Sequence, residues 1–158
     1  MKRRTLTVIL SSLLILVALM GCAKKEAPQA QEPAGIAWIT DIQQGLKQAA
    51  EANKPLMVDF MATWCPPCKM MEDSTFSDAK VIAKAQAFIP VRIDVDQQGD
   101  VANAYQSNAG KYGGIGIPNV LFLDAQGQTL KHPIGFKAPE LFLSIMDSVL
   151  TLAAPQGE

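Results

Sequence analysis

Two cysteines separated by two prolines stand near the middle of the chain, in the segment "MVDFMATWCPPCKMMEDSTF" at positions 57–76. Cys65 and Cys68 are close enough in sequence to form a disulfide, and Trp64 directly precedes the pair. Asp59 lies six residues before Cys65, inside an otherwise apolar run. Residues of these types at this spacing indicate thiol–disulfide exchange, in which thiolates attack and release disulfides.

The two thiols are expected at a junction between a strand and a helix. Proline is tolerated in the first turn of a helix, where N–H groups lack partners within the helix, so Pro66 and Pro67 are compatible with a helix that begins at Pro66. Cys65 then lies at the helix N-terminus, where the helix dipole and free N–H groups favour a thiolate. Cys68 lies one turn further in and is shielded. This arrangement suits a pair in which one thiol attacks and the other resolves.

The cysteine pair has two alternative interpretations, a zinc site and a purely structural disulfide. A zinc site needs two more ligands, and apart from carboxylates the chain offers only His132, which we expect to be an ordinary surface residue. A structural disulfide that closes so short a loop adds little stability and leaves Trp64 unexplained, although Trp64 has the alternative of a core aromatic. Core packing explains Met61, Met70 and Met71 better than a metal-binding methionine set does. We predict no metal and no cofactor other than the redox-active cysteine pair.

Asp59 and Pro118 are the other candidate site residues. Asp59 lies in "LMVDFMA", a continuous apolar run typical of a strand that is covered on both faces. Burial of a carboxylate is costly, and a raised pKa would suit Asp59 to take the proton from Cys68; the alternative is an Asp59 that faces solvent at a strand edge. A cis bond at Pro118 would expose the N–H and C=O of Ile117 for pairing with a bound polypeptide, whereas a trans proline would simply begin a strand.

Strand-like and helical patterns alternate along the rest of the chain. The order β-α-β-α-β-α-β-β-α predicts the α/β class, with a central mixed sheet flanked by helices on both faces. The predicted elements are a short strand at 36–40, a helix from Asp41 that Pro55 ends, a strand at 56–62, a helix from Pro66, a helix after Ser77 as N-cap, a strand at 88–96, a helix at 100–107, a hairpin of strands 119–124 and 129–134, and a helix from Pro139.

The first 35 residues differ in character from this pattern. Three basic residues at positions 2–4 precede an apolar segment at 6–20, which is too short for a membrane span and is typical of an export signal. The sequence "LMGC" that follows resembles the lipobox of bacterial lipoproteins, in which the cysteine, here Cys22, is lipidated and becomes the first mature residue. An ordinary cleaved signal and an uncleaved anchor are the alternatives. We predict a lipoprotein signal peptide at 1–21, a lipidated Cys22 with a flexible tether at 22–35, and one globular domain at 36–158.

Net charge and cysteine count limit the classes of partner and the cellular location that we expect. The formal net charge is −1, and removal of the leader takes away three basic residues and no acidic ones. This balance argues against nucleic acid as a partner. With Cys22 lipidated, the domain keeps a single dithiol pair and has no structural disulfide framework. We predict a monomer in the bacterial cell envelope, tethered by its lipid to the inner or outer membrane and facing the periplasm.

Several segments carry a resemblance to the thioredoxin superfamily over residues 36–152. "VDFMATWCPPCKMM" resembles the thioredoxin active-site segment, and "GIGIPNVLFLDAQGQ" resembles its cis-proline loop with the following hairpin. Within the superfamily, "KPLMVDFMATWC", "TFSD" and "FLDAQGQ" are most similar to the periplasmic C-terminal domain of the transmembrane thiol:disulfide interchange protein DsbD. The resemblance implies a thioredoxin fold.

The resemblance also implies roles for individual residues. Cys65 matches the attacking cysteine and Cys68 the resolving one, and Trp64 matches the residue that covers the disulfide. Asp59 matches the buried acid, with Arg92 where thioredoxin has a lysine. The implied substrate groove consists of Trp64, Pro66, Pro67, Ile117 and the cis-proline Pro118. The chain departs from the family in three places. Pro66 replaces a glycine, Asn119 replaces a threonine, and "QSNAGKYGG" lengthens the approach to the cis-proline loop.

The two prolines also bear on the direction of electron flow. Because proline has no N–H, a Cys65 thiolate receives its main backbone hydrogen bond from Cys68 and should be less stabilised than in strong oxidants. We therefore expect a membrane-tethered thiol:disulfide oxidoreductase that reduces disulfides of exported proteins. The chain has no flavin or nicotinamide motif, so a membrane thiol donor of the DsbD type would recharge it. The alternatives are a disulfide oxidase or isomerase, and a binding module or metallochaperone that uses its thiols without turnover.

Overall fold

The computed structural model describes residues 34–106 and 116–154. The predicted signal peptide, the lipidation site at Cys22 and most of the tether lie outside the described residues, as does nearly all of the "QSNAGKYGG" segment. The elements are α1 (Ile42–Ala52), β1 (Leu56–Met61), α2 (Pro66–Ser74), α3 (Ala79–Ala85), β2 (Ile89–Asp94), α4 (Gly99–Gln106), β3 (Asn119–Leu123), β4 (Thr129–Lys131) and α5 (Pro139–Ala153). Within the described ranges no helix is both long enough and apolar enough to cross a membrane.

The four strands form one mixed sheet in the order β2-β1-β3-β4. β1 pairs in parallel with β2 and antiparallel with β3, while β3 and β4 form an antiparallel hairpin. Every residue of β1 is buried except Met61, which is half-buried, so the continuous apolar run is the central strand that the sequence predicts.

Helices cover both faces of the sheet, as predicted. Because side chains alternate along a strand, Met57 of β1 and Phe122 of β3 point to one face, where they join a core cluster with α2, α3 and α5. Val58 of β1 and Leu121 of β3 point to the other face and pack with α1 and α4. Ala62, Cys65 and Cys68 form a third, smaller cluster, against which Met61, Val95 and Ile117 pack.

Capping residues account for where several helices begin. The Asp41 carboxylate accepts hydrogen bonds from the first turn of α1, and Asp78 does the same for α3. The predicted N-cap at Ser77 is therefore wrong by one residue. The Ser77 hydroxyl donates instead to the carbonyl of Asp73 at the end of the preceding helix. A carboxylate is the stronger acceptor for free N–H groups at a helix start.

All of the predicted strands are shorter in the structure, and two of them lose half of their length or more. The segment at 36–40 forms only an isolated parallel bridge between Ile39 and Val91. β4 ends at Lys131, and the chain returns to the sheet through a further bridge between Asn119 and Ile134. The bulge in the pairing of β3 with β4 lies at Phe122 and Leu123, near the start of β4. The break after Lys131 contains Pro133, which has no N–H to donate to a strand ladder.

Candidate active site

The cysteine pair lies where β1 passes into α2, as the sequence predicts. Cys65 is the N-cap of α2, and Pro66 and Pro67 occupy its first two positions. Cys65 and Cys68 form a disulfide and are both largely buried, with 3% and 6% of their surface exposed. The backbone N–H of Cys68 donates to Cys65 Sγ over 3.2 Å. Since the two prolines carry no N–H, this bond is the main contribution of the first helical turn to a Cys65 thiolate.

Asp59 is buried beneath this junction, with 2% of its surface exposed, so the alternative of a solvent-facing carboxylate is wrong. Burial raises its pKa from 3.8 to about 6, although Arg92 opposes that rise. Arg92 Nε donates to Asp59 Oδ2 over 3.0 Å, and Arg92 Nη2 contacts Glu72 Oε2 at 2.5 Å. The acid is thus part of a three-residue group in which one cation joins two carboxylates.

The sheet register explains why Arg92 reaches the acid. Asp59 of β1 and Arg92 of β2 are direct partners in the parallel pair, so both side chains point to the same face. The guanidinium lies over the ring of Trp38, with its Cζ 4.2 Å from the ring centroid, and near Phe76 at 5.4 Å. These aromatic faces stabilise a partly buried cation. The guanidinium group of Arg92 is therefore held between Asp59 and Glu72.

A cavity of about 240 Å³ lies between Asp59 and Cys68, since both residues line it. The exposed side chains of Lys69 and Glu72 line it as well, so it is accessible to solvent. Asp59 Oδ1 is buried and has no hydrogen-bond partner among the described residues. A cavity of this volume accommodates water, which can carry a proton between the carboxylate and Cys68.

Trp64 and Met70 lie on the exposed side of the cysteine pair. Trp64 has 65% of its surface exposed, which excludes the core position, and its indole Nε1–H donates to Asp96 Oδ2 over 2.6 Å. Met70 is 55% exposed, so the prediction that it packs in the core is wrong, while Met71 is buried and Met61 packs beside the cysteines. Successive residues of a helix point about 100° apart, so Met70 on α2 does not share the buried face of its neighbour Met71.

The loop before β3 approaches the cysteines from the other side. The Ile117–Pro118 peptide bond is cis, as predicted. Pro118 is buried, and Ile117 is half-buried and packs against the cluster of Cys65 and Cys68. Of the residues predicted to form the groove, Trp64, Pro66 and Pro67 adjoin the cysteines in the chain, Ile117 packs against the cysteine cluster, and Pro118 follows Ile117 through the cis bond. The groove itself stays a prediction.

His132 was expected on the surface, but the structure places it in the interior, next to the loop that carries Pro118. It is buried, with 2% of its surface exposed, rather than on the surface, and burial lowers its pKa. Its Nε2 lies 2.8 Å from Oδ1 of Asn119, the residue directly after Pro118. The available signal was the alternation of Leu130 and His132, which places both on one face of the hairpin. In the described part of the chain no group of three or more His, Cys, Asp or Glu side chains could hold a metal ion.

Comparisons with known proteins agree with this architecture. The profile of the family described as thioredoxin-like matches residues 37–125. The thiol:disulfide interchange protein DsbD of Ralstonia nicotianae is 32% identical over 116 residues, which cover 73% of this chain and 19% of the relative. The chain therefore matches about a fifth of that relative's length.

Two solved structures share the fold. The DsbH oxidoreductase has a TM-score of 0.60 at 18% identity, with 84% of this chain and 96% of the other covered. The reduced C-terminal domain of DsbD from Neisseria meningitidis has a TM-score of 0.53 at 24% identity, with 67% and 91% covered. With its mixed sheet, flanking helices and cysteine pair at the start of α2, the chain belongs to the thioredoxin-like family.

Proposed function

We propose that the protein is a thiol:disulfide oxidoreductase that reduces disulfides of exported proteins. In its reduced form, the Cys65 thiolate attacks one sulfur of the substrate disulfide and releases the other as a thiolate. Cys68 then attacks Cys65 Sγ, which frees the second substrate sulfur and leaves the Cys65–Cys68 disulfide. The observation that carries this proposal is the cysteine pair at the N-terminus of α2.

The group around Asp59 supports the resolving step. Cys68 must lose its proton to attack, and the Asp59 carboxylate shares a cavity with it. A pKa of about 6 leaves Asp59 mostly ionised at neutral pH yet basic enough to accept a proton. Arg92 and Glu72 adjust that basicity in opposite directions, since Arg92 lowers the pKa of Asp59 and Glu72 raises it.

The environment of Cys65 supports a reducing direction. Strong oxidants owe their high potential to a stabilised reduced thiolate. Here the first two residues of α2 are prolines, so the thiolate of Cys65 keeps chiefly the N–H of Cys68 as its backbone donor. The reduced form is consequently less stabilised, and the protein releases electrons more readily.

The sequence supports the proposed tether and the need for an external electron donor. The "LMGC" segment supports lipidation of Cys22, and the Pro- and Ala-rich stretch after it supports a flexible link to the membrane. Electrons would come from a membrane thiol donor of the DsbD type, and the clients would be exported proteins that carry disulfides. A chain expressed with its leader and labelled with radioactive palmitate tests the anchor, because a Cys22→Ser variant should lose the label.

The reduction potential tests the direction. A chain that starts at residue 22 with Cys22→Ser is equilibrated in glutathione buffers, and free thiols are trapped with an alkylating mass tag. A potential near or below roughly −230 mV would support a reductant, and one above roughly −180 mV would make the protein an oxidase or isomerase. A Cys65→Ser/Cys68→Ser variant serves as the control for tagging.

The Cys68→Ser variant separates an enzyme from a binding module. If the thiols act in turnover, this variant should stop after one attack and accumulate a mixed disulfide between Cys65 and its substrate. Non-reducing electrophoresis with insulin as substrate would show the trapped species. Undiminished function in this variant would instead indicate a module that binds without turnover.

A further inference from the structure

A chain of two side-chain hydrogen bonds runs from the hairpin to the loop before β3. His132 on the hairpin contacts Asn119 Oδ1 through its Nε2 at 2.8 Å. The Asn119 amide Nδ2 in turn donates to the backbone carbonyl of Gly116, three residues earlier. Both His132 and Asn119 are buried, with 2% and 0% of their surface exposed.

The chemistry of the three groups fixes the direction of both bonds. The Gly116 carbonyl can only accept, so the Asn119 side chain must present its NH₂ group there and its oxygen to His132. The imidazole must then donate from Nε2, which excludes the neutral tautomer whose only proton is on Nδ1. Desolvation lowers the pKa of His132 and so favours the neutral tautomer with its proton on Nε2 over the imidazolium.

These two hydrogen bonds hold the backbone at Gly116, which no ladder hydrogen bond of the described strands reaches. The pairing of β3 with β1 begins at Asn119, opposite Phe60, so Gly116 lies beyond the strand ladder. On the other side, the Gly135 N–H donates to the carbonyl of Pro118 over 2.8 Å. The Asn119 amide reaches past these contacts to Gly116 and so fixes the backbone on the near side of Ile117. Ile117 packs against the cluster of Ala62, Cys65 and Cys68.

We propose that His132 is a positioning residue for thiol–disulfide exchange, which acts through Asn119 to hold the Gly116–Pro118 segment beside the cysteine pair in the conformation that receives a polypeptide substrate. The proposal rests on the proposed function. It differs from a structural role in that His132 should matter more for a polypeptide disulfide, which lies along this segment, than for a small disulfide, which needs only the thiols. The strength of one neutral buried hydrogen bond corresponds to about a fivefold difference in affinity.

The test compares insulin with a small aromatic disulfide, 5,5′-dithiobis(2-nitrobenzoate), as substrates of the reduced protein. His132→Leu keeps the volume of the side chain and removes the donor, whereas His132→Gln places an amide N–H where Nε2 was. In single-turnover reactions of the fully reduced protein, we expect His132→Leu to lower the second-order rate constant for insulin about fivefold more than that for the small disulfide, and to raise the insulin concentration at which the rate saturates. His132→Gln should restore most of that selectivity. Val149→Ala, which removes core volume in α5, controls for stability and should leave the ratio of the two substrates unchanged.

The outcomes separate this inference from the proposed function. A wild-type protein that reduces neither disulfide would overturn the proposed function. A wild-type protein that reduces both, with the same insulin-to-small-disulfide ratio in His132→Leu, would overturn the positioning role. Long-range ¹H–¹⁵N NMR of the imidazole gives a readout without activity and should find the proton on Nε2. A proton on Nδ1 would refute the hydrogen-bond chain even if the variants lose activity.

Discussion

Replacing Asp59 with Asn should stabilise the oxidised protein in a pH-dependent way. Below pH 3.8 the carboxyl is protonated in both the folded and the unfolded chain, so it imposes no cost. As pH rises from 3.8 to about 6, the unfolded chain ionises first, and the free energy of unfolding falls. Above pH 6 the full cost is present. A difference of roughly two pH units, at about 1.4 kcal/mol each, gives about 3 kcal/mol.

The measurement is urea unfolding followed by tryptophan fluorescence at pH 3.5 and pH 8, without reductant. Asn resembles the protonated acid in shape, so contributions that do not depend on pH cancel when the two conditions are compared. The advantage of Asp59→Asn over wild type should therefore grow by about 3 kcal/mol between the two pH values. Glu51→Gln, which removes an exposed carboxylate from α1, controls for the loss of one negative charge. An advantage of equal size at both pH values would refute the raised pKa of Asp59.

The remaining predictions concern the pKa of the same acid and the core on the opposite face of the sheet. Arg92→Met removes the cation that lowers the pKa of Asp59, so that pKa should rise further; Glu72→Gln removes an anion that raises it and should lower it. A ¹³C NMR titration of the Asp59 carboxyl measures its pKa in both variants. If the pKa moved in the same direction in both, the opposing effects assigned to Arg92 and Glu72 would be wrong. Gly45→Ala should destabilise the fold by about 1–3 kcal/mol, because a Cβ there would overlap Cγ2 of Val91. A urea midpoint at or above that of wild type would refute this, and adding Val91→Ala should recover part of the loss.

The fold was largely predictable because its strands are strongly patterned. The continuous apolar run of β1 and the helical spacing of apolar residues in α5 predicted both elements, with small errors at their ends. The segment at 36–40 was predicted as a strand from composition, yet it contributes only one bridge to the sheet edge. Edge pairing of this kind depends on how far the neighbouring strand extends, and local sequence carries no such information.

The candidate site was predictable where chemistry and spacing coincide. The burial of Asp59 followed from its apolar neighbours, and its proximity to Arg92 followed from a resemblance. Glu72 was missed, although it lies four residues after Cys68 and therefore on the same helix face. His132 was misplaced because the hairpin was expected to be exposed. In the structure β4 packs against α5, so one face of the hairpin is covered.

In the proposed function, the two sides of the cysteine pair divide the reaction between them. The acid side, with Asp59 and Arg92, adjoins Cys68 through a solvent-accessible cavity, and we propose that it governs the transfer of a proton. On the loop side, Ile117 packs against the cluster that contains both cysteines, and the proposed hydrogen-bond chain through Asn119 has no charged group. Changes on the acid side should therefore alter the pH dependence of resolution for every substrate, large or small. Changes on the loop side should alter the choice among substrates at a fixed pH, because a polypeptide needs that backbone and a small disulfide does not.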